Sequence, residues 1–581
     1  MRKKTEKLRG LPISPGIAIG RICLFGSTVN AQKRVIGHNT VKAELDHFEA
    51  ILASTRSELE QIKSKVEIEI GRKEADIFDL QILLTRDPTF ITRIEHKIAV
   101  DLKNLAWAVQ EAVEEAVSSM TGVKDAYLQE RASDIRDIGS RMLEQITNTQ
   151  RQCFLDENED VVIAAEDLFP SQTVQLQSRR IGAFITEHGG ATGHAAILAR
   201  SLGVPLVSGI LDIAARAGMG DRVIVDGFRG EVILNPSPAQ IERYSGARRA
   251  VIERETAAGR TASLPSVTRD RVAVHLYANI GSQQDLPKVK EVGAEGVGLY
   301  RTELHFINRE KIADEEEQYR DYSKIAASIA PGILVIRTID IGGDKFFSAV
   351  PRKREPNPYL GMRAIRLSLR QPDVLKTQLR AIYRAANNGA IKLLLPMISS
   401  LEEVHQVKKI IRSVLRDLKK RNIPHKPDVP LGLMVEVPSV AINILQFLDQ
   451  VDFISVGTND LIQYTLAVDR GNETVSSLYQ PFHPAVLSLL AHIGRSAKTK
   501  NIEASVCGEI AADPLFTELL IGFGFRNLSM SSPFIPHVKL RVRQVDTATS
   551  EMIAQKVLAY DLSDKIRRFV DKRLHSTNSF P

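Results

Sequence analysis

The chain has 581 residues, of which 43% are apolar and 25% are charged. These proportions are ordinary for a folded globular protein and exclude a wholly disordered chain, and the length predicts about three or four domains. No stretch approaches the ~18 consecutive apolar residues that a membrane-spanning helix needs, so we expect no association with a membrane.

The net charge of +7 is concentrated near the two ends of the chain. Residues 2–9 and residues 565–573 each carry +4, so the rest of the chain sums to about −1. A protein that binds along a nucleic-acid backbone needs basic residues concentrated on the surface of its folded body. We therefore expect no nucleic-acid partner.

The N-terminal residues and the cysteines both predict a cytoplasmic protein. The segment Met1–Arg9 is basic, but Pro12 and Pro15 interrupt the apolar stretch that would make the start of the chain a signal peptide. Three cysteines are too few and too scattered for a disulfide framework or a thiolate zinc site. A reducing compartment fits both observations.

The N-terminal half of the chain divides into segments of different pattern. Residues 1–24 show short strands and turns, whereas residues 40–147 contain little proline or glycine and repeat apolar residues at helical spacing. Residues 160–237 return to short apolar runs separated by glycine, which is typical of an α/β unit. Because residues 1–24 are too short to fold alone, we place them in this unit, with a helical bundle inserted between its two segments. Residues 238–265 then predict a connecting helix and a loop.

The C-terminal half alternates short apolar runs with connections long enough for helices. The runs are Val272–Asn279, Gly296–Glu303, Ile333–Ile339, Ile391–Met397, Leu431–Val437, Phe453–Gly457, Ala504–Gly508 and Asn527–Met530. Eight strands separated by helices predict a closed (β/α)8 barrel, in which functional residues lie at the carboxyl ends of the strands.

Polar residues follow these runs at the positions where such a barrel carries its chemistry. Arg301 and Arg337 end the second and third runs and Arg470 follows the sixth, and arginines bind phosphate or carboxylate through paired hydrogen bonds. Glu436 and Asp460 end the fifth and sixth runs and offer oxygen ligands that suit Mg²⁺. The pattern predicts a small substrate that carries phosphate and carboxylate and chelates the metal, although each residue taken singly also fits a salt bridge or a helix cap.

Cys507, at the end of the seventh run, admits two interpretations. A thiol with an ordinary pKa of about 8.5 is neutral at pH 7 and can donate a proton to an enol leaving group. A small buried core residue is the commoner role of cysteine. The position at a strand end favours the proton donor.

A glycine-rich turn in the α/β unit leads into a helix of small residues, with His194 near the start of this helix. Neutral imidazole accepts a phosphoryl group readily near pH 7, and N–H groups at a helix N-terminus stabilise phosphate. A histidine in this position is more often structural, so position alone leaves both roles open. The other histidines of the barrel are interpreted as surface or packing residues, whereas His305, near the second strand end, matches no motif.

These segments resemble Enzyme I of the phosphoenolpyruvate:sugar phosphotransferase system. The resemblance extends from Ser14-Pro15-Gly16-Ile17-Ala18 to Ser529-Met530-Ser531, nearly the whole chain. Its motifs are Gly189–Arg200, Gly298–Glu303, Arg337–Lys345, Asn357–Arg366, Gly457–Arg470, Leu478–Pro481 and Cys507-Gly508-Glu509.

The resemblance implies a phosphotransferase that moves the phosphoryl group of phosphoenolpyruvate to His194 and then to a histidine of the phosphocarrier protein HPr, releasing pyruvate. This reaction is the first step of the sugar phosphotransferase system. The resemblance further implies that Thr173 orients the His194 ring and that Cys507 protonates the enolate. The implied substrate-binding residues are Arg301, Arg337, Asn459, Asp460 and Arg470, and the implied Mg²⁺ ligands are Glu436 and Asp460.

The resemblance also implies an order of domains. Residues 1–24 and 149–237 would form a swivelling α/β phosphohistidine domain, and residues 25–148 an inserted helical bundle that binds HPr. Residues 238–267 would form a linker helix. Residues 268–581 would form the phosphoenolpyruvate-binding (β/α)8 barrel, of the TIM type, through which the protein makes a homodimer.

Three residues depart from the family pattern. Gly193 stands where serine is usual beside the active histidine, Gln81 stands where a histidine is expected in the helical bundle, and His305 replaces an apolar residue.

Two other functions use the same features. The pyruvate phosphate dikinase and phosphoenolpyruvate synthase group resembles the chain in its barrel and histidine segment, but those enzymes need a nucleotide-binding domain for which this chain has neither the glycine-rich motifs nor the length. A regulatory protein whose phosphorylation state is read by partners would use the same site, and the sequence does not separate it from a transport component.

Overall fold

The computed structural model divides into two compact units, Met1–Glu253 and Arg254–Pro581. The residues it describes are 5–25, 33–69, 77–121, 126–147, 160–166, 181–188, 195–196, 199, 203–306, 313–342, 357–470, 472 and 475–577.

A mixed sheet of eight strands, counted over the described residues, forms the centre of the first unit. Its strands are β1 (Glu6–Arg9), β2 (Leu11–Ser14), β3 (Ile17–Phe25), β4 (Val161–Ala165), β5 (Ile181–Thr186), β6 (Leu206–Ser208), β7 (Arg222–Asp226) and β8 (Glu231–Leu234). Their order across the sheet is β1-β8-β7-β3-β4-β5-β6-β2. Because β3 pairs with both β4 and β7, the N-terminal strands and the strands after residue 160 share one sheet, as the short first segment predicted.

Neighbouring strands of this sheet bury side chains on both faces. Ile22 and Val162 lie in one apolar cluster, whereas Cys23 and Ile163 lie in the cluster on the opposite face. A strand buried on both faces reads as a continuous apolar run, which is the pattern seen in the sequence. Cys23 is disulfide-bonded, a bond that the low number of cysteines did not predict.

Helices occupy the described chain between β3 and β4. They are α1 (Val41–Glu69), α2 (Ile77–Leu84), α3 (Pro88–Ala99), α4 (Leu105–Thr121) and α5 (Ala126–Ile146). Phe48 and Ile51 of α1 share one buried cluster with Ile138 and Met142 of α5, so the apolar faces read from the sequence pack against each other. A helical bundle inserted in the α/β sheet is therefore confirmed.

Gln81, which departs from the family pattern, lies inside this bundle. Its side chain is buried, and its Nε2 donates a hydrogen bond to Oδ2 of Asp137 at 3.0 Å. The pair joins α2 to α5, so Gln81 contributes to the interior of the bundle and not to its surface.

Two further helices, α6 (Ile213–Arg216) and α7 (Pro238–Thr261), follow in the chain, and α7 corresponds to the predicted connecting helix. Within the described part of the chain, every helix is too short or too polar to cross a lipid bilayer.

The second unit is a closed barrel of parallel strands. They are β9 (His275–Ile280), β10 (Gly296–Arg301), β11 (Ile333–Arg337), β12 (Ala390–Leu395), β13 (Leu431–Val435), β14 (Phe453–Val456), β15 (Glu503–Val506) and β16 (Asn527–Ser531). The order is sequential, and β16 closes the barrel by pairing with β9. Each of the eight predicted runs contains one of these strands or overlaps it, so the predicted fold class is confirmed.

Helices connect and cover the barrel strands. They are α8 (Leu286–Glu291), α9 (Glu315–Ile329), α10 (Ala364–Arg370), α11 (Pro372–Ala385), α12 (Leu401–Lys420), α13 (Pro438–Ile442), α14 (Ile444–Leu448), α15 (Thr458–Leu466), α16 (Pro484–Lys500), α17 (Pro514–Gly522), α18 (Ile535–Val542), α19 (Thr547–Leu558) and α20 (Ser563–Thr577). Alternate strand residues pack against these helices, and the others form a separate inner cluster of Leu299, Val335, Leu394, Met434, Phe453 and Cys507.

Gly432 on β13 gives a test of packing inside the barrel. A Cβ at this position would overlap the ring of Phe453, so Gly432→Ala is expected to lower the free energy of unfolding by about 1–3 kcal/mol. Gly246 in α7 is the matched control, because nothing lies within 4 Å of its added Cβ. Gly246→Ala is expected to stabilise by up to ~1 kcal/mol. Thermal unfolding of both variants measures the difference, and equal midpoints would contradict the assigned inner packing.

Candidate active site

The guanidinium group of Arg337, at the end of β11, lies among carboxylates. Its Nη2 is 2.5 Å from Oε1 of Glu303, and its Nη1 is 2.9 Å from Oδ2 of Asp340. Burial alone would lower the pKa of Arg337, but the charges of Glu303, Asp340 and Glu436 outweigh burial and raise it. Arg337 is therefore a permanent cation in a fixed orientation, and its Nε has no hydrogen-bond partner among the described residues.

Arg363, which directly precedes α10, adds a second buried guanidinium group. Its Nη2 is 2.8 Å from Oδ1 of Asp340 and 3.5 Å from Oδ2 of Asp460. Burial would raise the pKa of Asp340, but the charges of Arg337 and Arg363 lower it. Arg363 thus links the loop after β11 to the Asp460 carboxylate in the first turn of α15.

Glu436, directly after β13, is a carboxyl group with little positive charge to stabilise it. It is 1% exposed, and its Oε1 accepts a hydrogen bond from the N–H of Met397 at 2.5 Å. Burial and the charges of Asp460 and Asp340 raise the pKa of Glu436 well above its ordinary value. The absence of a side chain at Gly457 leaves room for Glu436, because a Cβ at residue 457 would lie 2.7 Å from Oε2 of Glu436.

The donors at this position fit a hard divalent cation. Glu436 and Asp460 offer only oxygen atoms, and Mg²⁺ commonly takes one or two protein carboxylates and completes its shell with water and substrate oxygens. A nearby cation would also stabilise the ionised form of Glu436, which neighbouring carboxylates disfavour. Over the described ranges, no three His, Cys, Asp or Glu side chains are grouped to hold a metal ion. Other oxygen atoms would therefore have to complete the ion's coordination.

Cys507, directly after β15, is a free thiol buried in the inner cluster of the barrel. Its Sγ lies 3.5 Å from the carbonyl oxygen of Val456. Burial raises the pKa of Cys507 to about 11, and the charge of Glu436 adds to this effect. The thiol therefore keeps its proton at neutral pH, as a proton donor must.

The reactivity of Cys507 tests this raised pKa. Because the pKa of the native thiol is about 11, its thiolate fraction at pH 8 is expected to be about 200-fold below that of an ordinary cysteine. Mass spectrometry of the Cys507 peptide after timed treatment with iodoacetamide measures the rate in native and urea-unfolded protein. Alkylation at the same rate in both samples would contradict the buried, neutral thiol.

Three more of the predicted residues lie near the arginines and carboxylates described above. Asn459 donates from Nδ2 to Oε1 of Glu509 and accepts at Oδ1 from the N–H of Glu509, both at 2.9 Å. Arg470 lies 3.8 Å from the same Oε1. Arg301 is exposed, and its charge contributes to lowering the pKa of Asp340. Glu509 therefore joins Asn459 to Arg470, whereas Arg301 acts on Asp340 through its charge.

The structure thus brings most of the predicted barrel residues together at one end of the strands. Arg337, Asp460 and Glu436 lie in one electrostatic group, and the charges of Glu436 and Arg337 act on Cys507. His194, Thr173 and Gly193 lie outside the described residues, so their roles stay predictions.

The comparisons with known proteins cover both units. The family models that match are the PEP-utilising enzyme N-terminal domain at residues 9–131, the mobile domain at 157–230 and the PEP-binding domain at 255–547. The phosphoenolpyruvate-protein phosphotransferase of Bacillus sp. (strain S) is 37% identical over 573 residues, which are 98% of each chain. The chain belongs to the phosphoenolpyruvate-protein phosphotransferase family.

Other phosphoenolpyruvate-protein phosphotransferases match along nearly the same length. The relative from Geobacillus stearothermophilus is 37% identical and covers 98% of both chains. That from Bacillus subtilis (strain 168) is 36% identical over 97% of this chain and 99% of its own. The resemblance to Enzyme I is confirmed.

Sequence reasoning missed several residues of the site in this phosphotransferase. Asp340 and Arg363 lie within the quoted motifs, but neither had been assigned a role. Arg363 precedes a helix and does not end a strand, so the rule of polar residues at strand ends could not find it. His305, which matched no motif, is buried and hydrogen-bonded to Tyr300 and Asp321.

Proposed function

We propose that the protein moves the phosphoryl group of phosphoenolpyruvate to its own His194 and then to a histidine of HPr, releasing pyruvate. The observation that carries this proposal is the group of paired arginines and carboxylates at the barrel strand ends, in a chain that matches phosphoenolpyruvate-protein phosphotransferases over 98% of its length. Cationic and oxygen-donor groups together suit a substrate with both phosphate and carboxylate.

In the proposed binding mode the arginines hold the anionic groups of the substrate. Arg337 is fixed by Glu303 and Asp340 and would orient one anionic group without further ordering. Arg301, Arg470 and Asn459 would complete the substrate contacts from the exposed side.

Glu436 and Asp460 would hold Mg²⁺. When bound, the ion supplies positive charge to the phosphate and carboxylate oxygens of the substrate.

The proposed reaction exchanges one bond to phosphorus for another. The imidazole of His194 forms a bond to phosphorus while the bond between phosphorus and the enol oxygen breaks. The enolate carbon takes the thiol proton of Cys507, which gives pyruvate, and the thiolate then recovers a proton from solvent. Thr173 would orient the His194 ring. The raised pKa of Cys507 supports this role, because it keeps the thiol protonated between turnovers.

The remaining assignments follow the proposed domain order. The α/β domain of residues 1–24 and 149–237 would carry His194 to the barrel and away from it. Residues 25–148 would bind HPr, residues 238–267 would act as the linker, and residues 268–581 would form a homodimer. We further propose a cytoplasmic location, without a nucleic-acid or membrane partner.

The direct test mixes the protein with Mg²⁺, phosphate-labelled phosphoenolpyruvate and HPr and follows label on the carrier by gel autoradiography. Label is expected on the carrier, with pyruvate formed in equal amount, and chelation of the metal is expected to stop both. Labelled ATP serves as the control for the dikinase reaction and is expected to transfer nothing. No label on HPr would overturn the proposal, and transfer from ATP would favour the dikinase group.

A further inference from the structure

Two buried side chains, Tyr300 and His305, form a hydrogen-bonded group behind the end of β10 with Asp321, whose side chain is 15% exposed. The hydroxyl of Tyr300 donates to Oδ2 of Asp321 at 2.5 Å, and Nε2 of His305 lies 2.9 Å from the same oxygen and 3.1 Å from the hydroxyl. Gln283 donates from Nε2 to the other carboxylate oxygen at 2.6 Å. Asp321 lies on α9, so the group joins this helix to the strand end.

Asp321 is held in its charged form inside the protein. Burial would raise its pKa, but hydrogen bonds from His305, Tyr300 and Gln283 outweigh burial and lower it. A buried carboxylate is costly unless donors surround it, so the position of each donor is set by the charge it stabilises.

Tyr300 and His305 lie at the two ends of a short segment that carries part of the proposed substrate site. Arg301 follows Tyr300 directly, and residues Thr302–His305 form one turn of 3₁₀ helix. Asp321 therefore holds the segment at both ends through side-chain hydrogen bonds.

The same segment also fixes Arg337 on the neighbouring strand. The hydroxyl of Thr302 donates to the carbonyl oxygen of Arg337 at 2.9 Å, and Glu303 makes the 2.5 Å ion pair with the guanidinium. Gln378 donates to the Thr302 hydroxyl at 3.1 Å and accepts from the N–H of Ile339, which ties the turn to the residues after β11.

Packing alone does not account for this arrangement. The His305 ring lies edge-on to Tyr322 at 5.6 Å, a contact that an apolar side chain of similar size could also make. Two apolar side chains in place of His305 and Asp321 would avoid the cost of burying the carboxylate. Buried polar pairs are best attested in proteins where the pair specifies one arrangement of the chain. We propose that His305 and Asp321 are a positioning pair, which orients the segment Arg301–Glu303 so that Arg301 and Arg337 meet the anionic groups of the substrate.

This inference rests on the proposed function, and a loss confined to substrate affinity is its expected signature. His305→Leu removes the donor while keeping an apolar side chain of similar size. It is expected to raise the KM for phosphoenolpyruvate about tenfold and to leave kcat within about twofold, since loss of one charge-assisted hydrogen bond weakens binding by about that factor. His305→Gln keeps an N–H donor near the position of Nε2, so its KM is expected to stay within about threefold of the wild-type value.

The matched control is His275→Leu. Nδ1 of His275 lies 2.6 Å from Oε2 of Glu295, so it too is a histidine paired with a carboxylate, but it begins β9 at the opposite end of the strands. Its KM is expected to equal that of the wild type. Steady-state pyruvate formation with HPr in excess gives KM and kcat for each variant, and circular dichroism melting checks that each is folded.

The outcomes separate the inference from the proposed function. An unchanged KM in folded His305→Leu, with only a lower melting temperature, would overturn the positioning role while the proposed function stands. If His305→Leu does not fold, Asp321→Asn decides: a raised KM supports the pair, and an unchanged KM overturns it. A wild-type protein that forms no pyruvate from phosphoenolpyruvate would overturn the function and this inference together.

Discussion

Arg337→Lys is expected to lower kcat/KM for phosphoenolpyruvate about 10²–10³-fold, because a lysine keeps the charge but loses the planar pair of donors that binds an anion. Retaining a cation matters here. The Arg337 side chain is 12% exposed and pairs with Glu303 and Asp340, so removal of the charge would take a cation from both carboxylates and endanger the fold. Steady-state kinetics of pyruvate formation gives the measurement.

Arg384→Lys is the matched control for this substitution. Arg384 on α11 also pairs with two carboxylates, Glu315 and Glu316, neither of which belongs to the proposed substrate site. Its kcat/KM is expected to stay at the wild-type value. Equal effects of the two substitutions would show that Arg337 acts through stability and not through the substrate.

Cys507→Ala is expected to reduce pyruvate formation at least about 10²-fold, because the enolate then has no positioned acid to protonate its carbon. Rapid-quench measurement of pyruvate follows this step directly. Transfer of the phosphoryl group from already phosphorylated protein to HPr is expected to continue at the wild-type rate, since that step needs no proton on carbon.

The second half-reaction is an internal control for folding of the Cys507 variant. The thiol packs in the inner barrel cluster with Leu299 and Met434, so its truncation also leaves a small cavity. A variant that transfers to HPr but forms no pyruvate separates chemistry from packing. Unchanged pyruvate formation would leave Cys507 as a core residue only.

The barrel could be predicted from the sequence because its strands are buried on both faces. In β13, Leu433 faces the covering helices and Met434 faces the interior, so both faces require apolar residues and the run stands out. The ends of the runs were equally informative. Arg337 is the last residue of one apolar strand and Glu436 directly follows another, and an unpaired charge at such a position would be costly without a function.

Other parts of the site depend on contacts that no local pattern records. Arg363 lies far from Asp460 in the chain, and only the closed barrel brings them within 3.5 Å. His305 matched no motif because Asp321, its partner, lies on a different element, α9.

The central claim is that one histidine outside the barrel takes the phosphoryl group from phosphoenolpyruvate. Peptide mapping by mass spectrometry at alkaline pH, after brief incubation with phosphoenolpyruvate and Mg²⁺, locates the modified residue. The account predicts phosphate on His194, and no phosphate on the His194→Ala variant although calorimetry still detects phosphoenolpyruvate binding. Full phosphorylation of His194→Ala, or phosphate on a different residue of the wild-type protein, would contradict it.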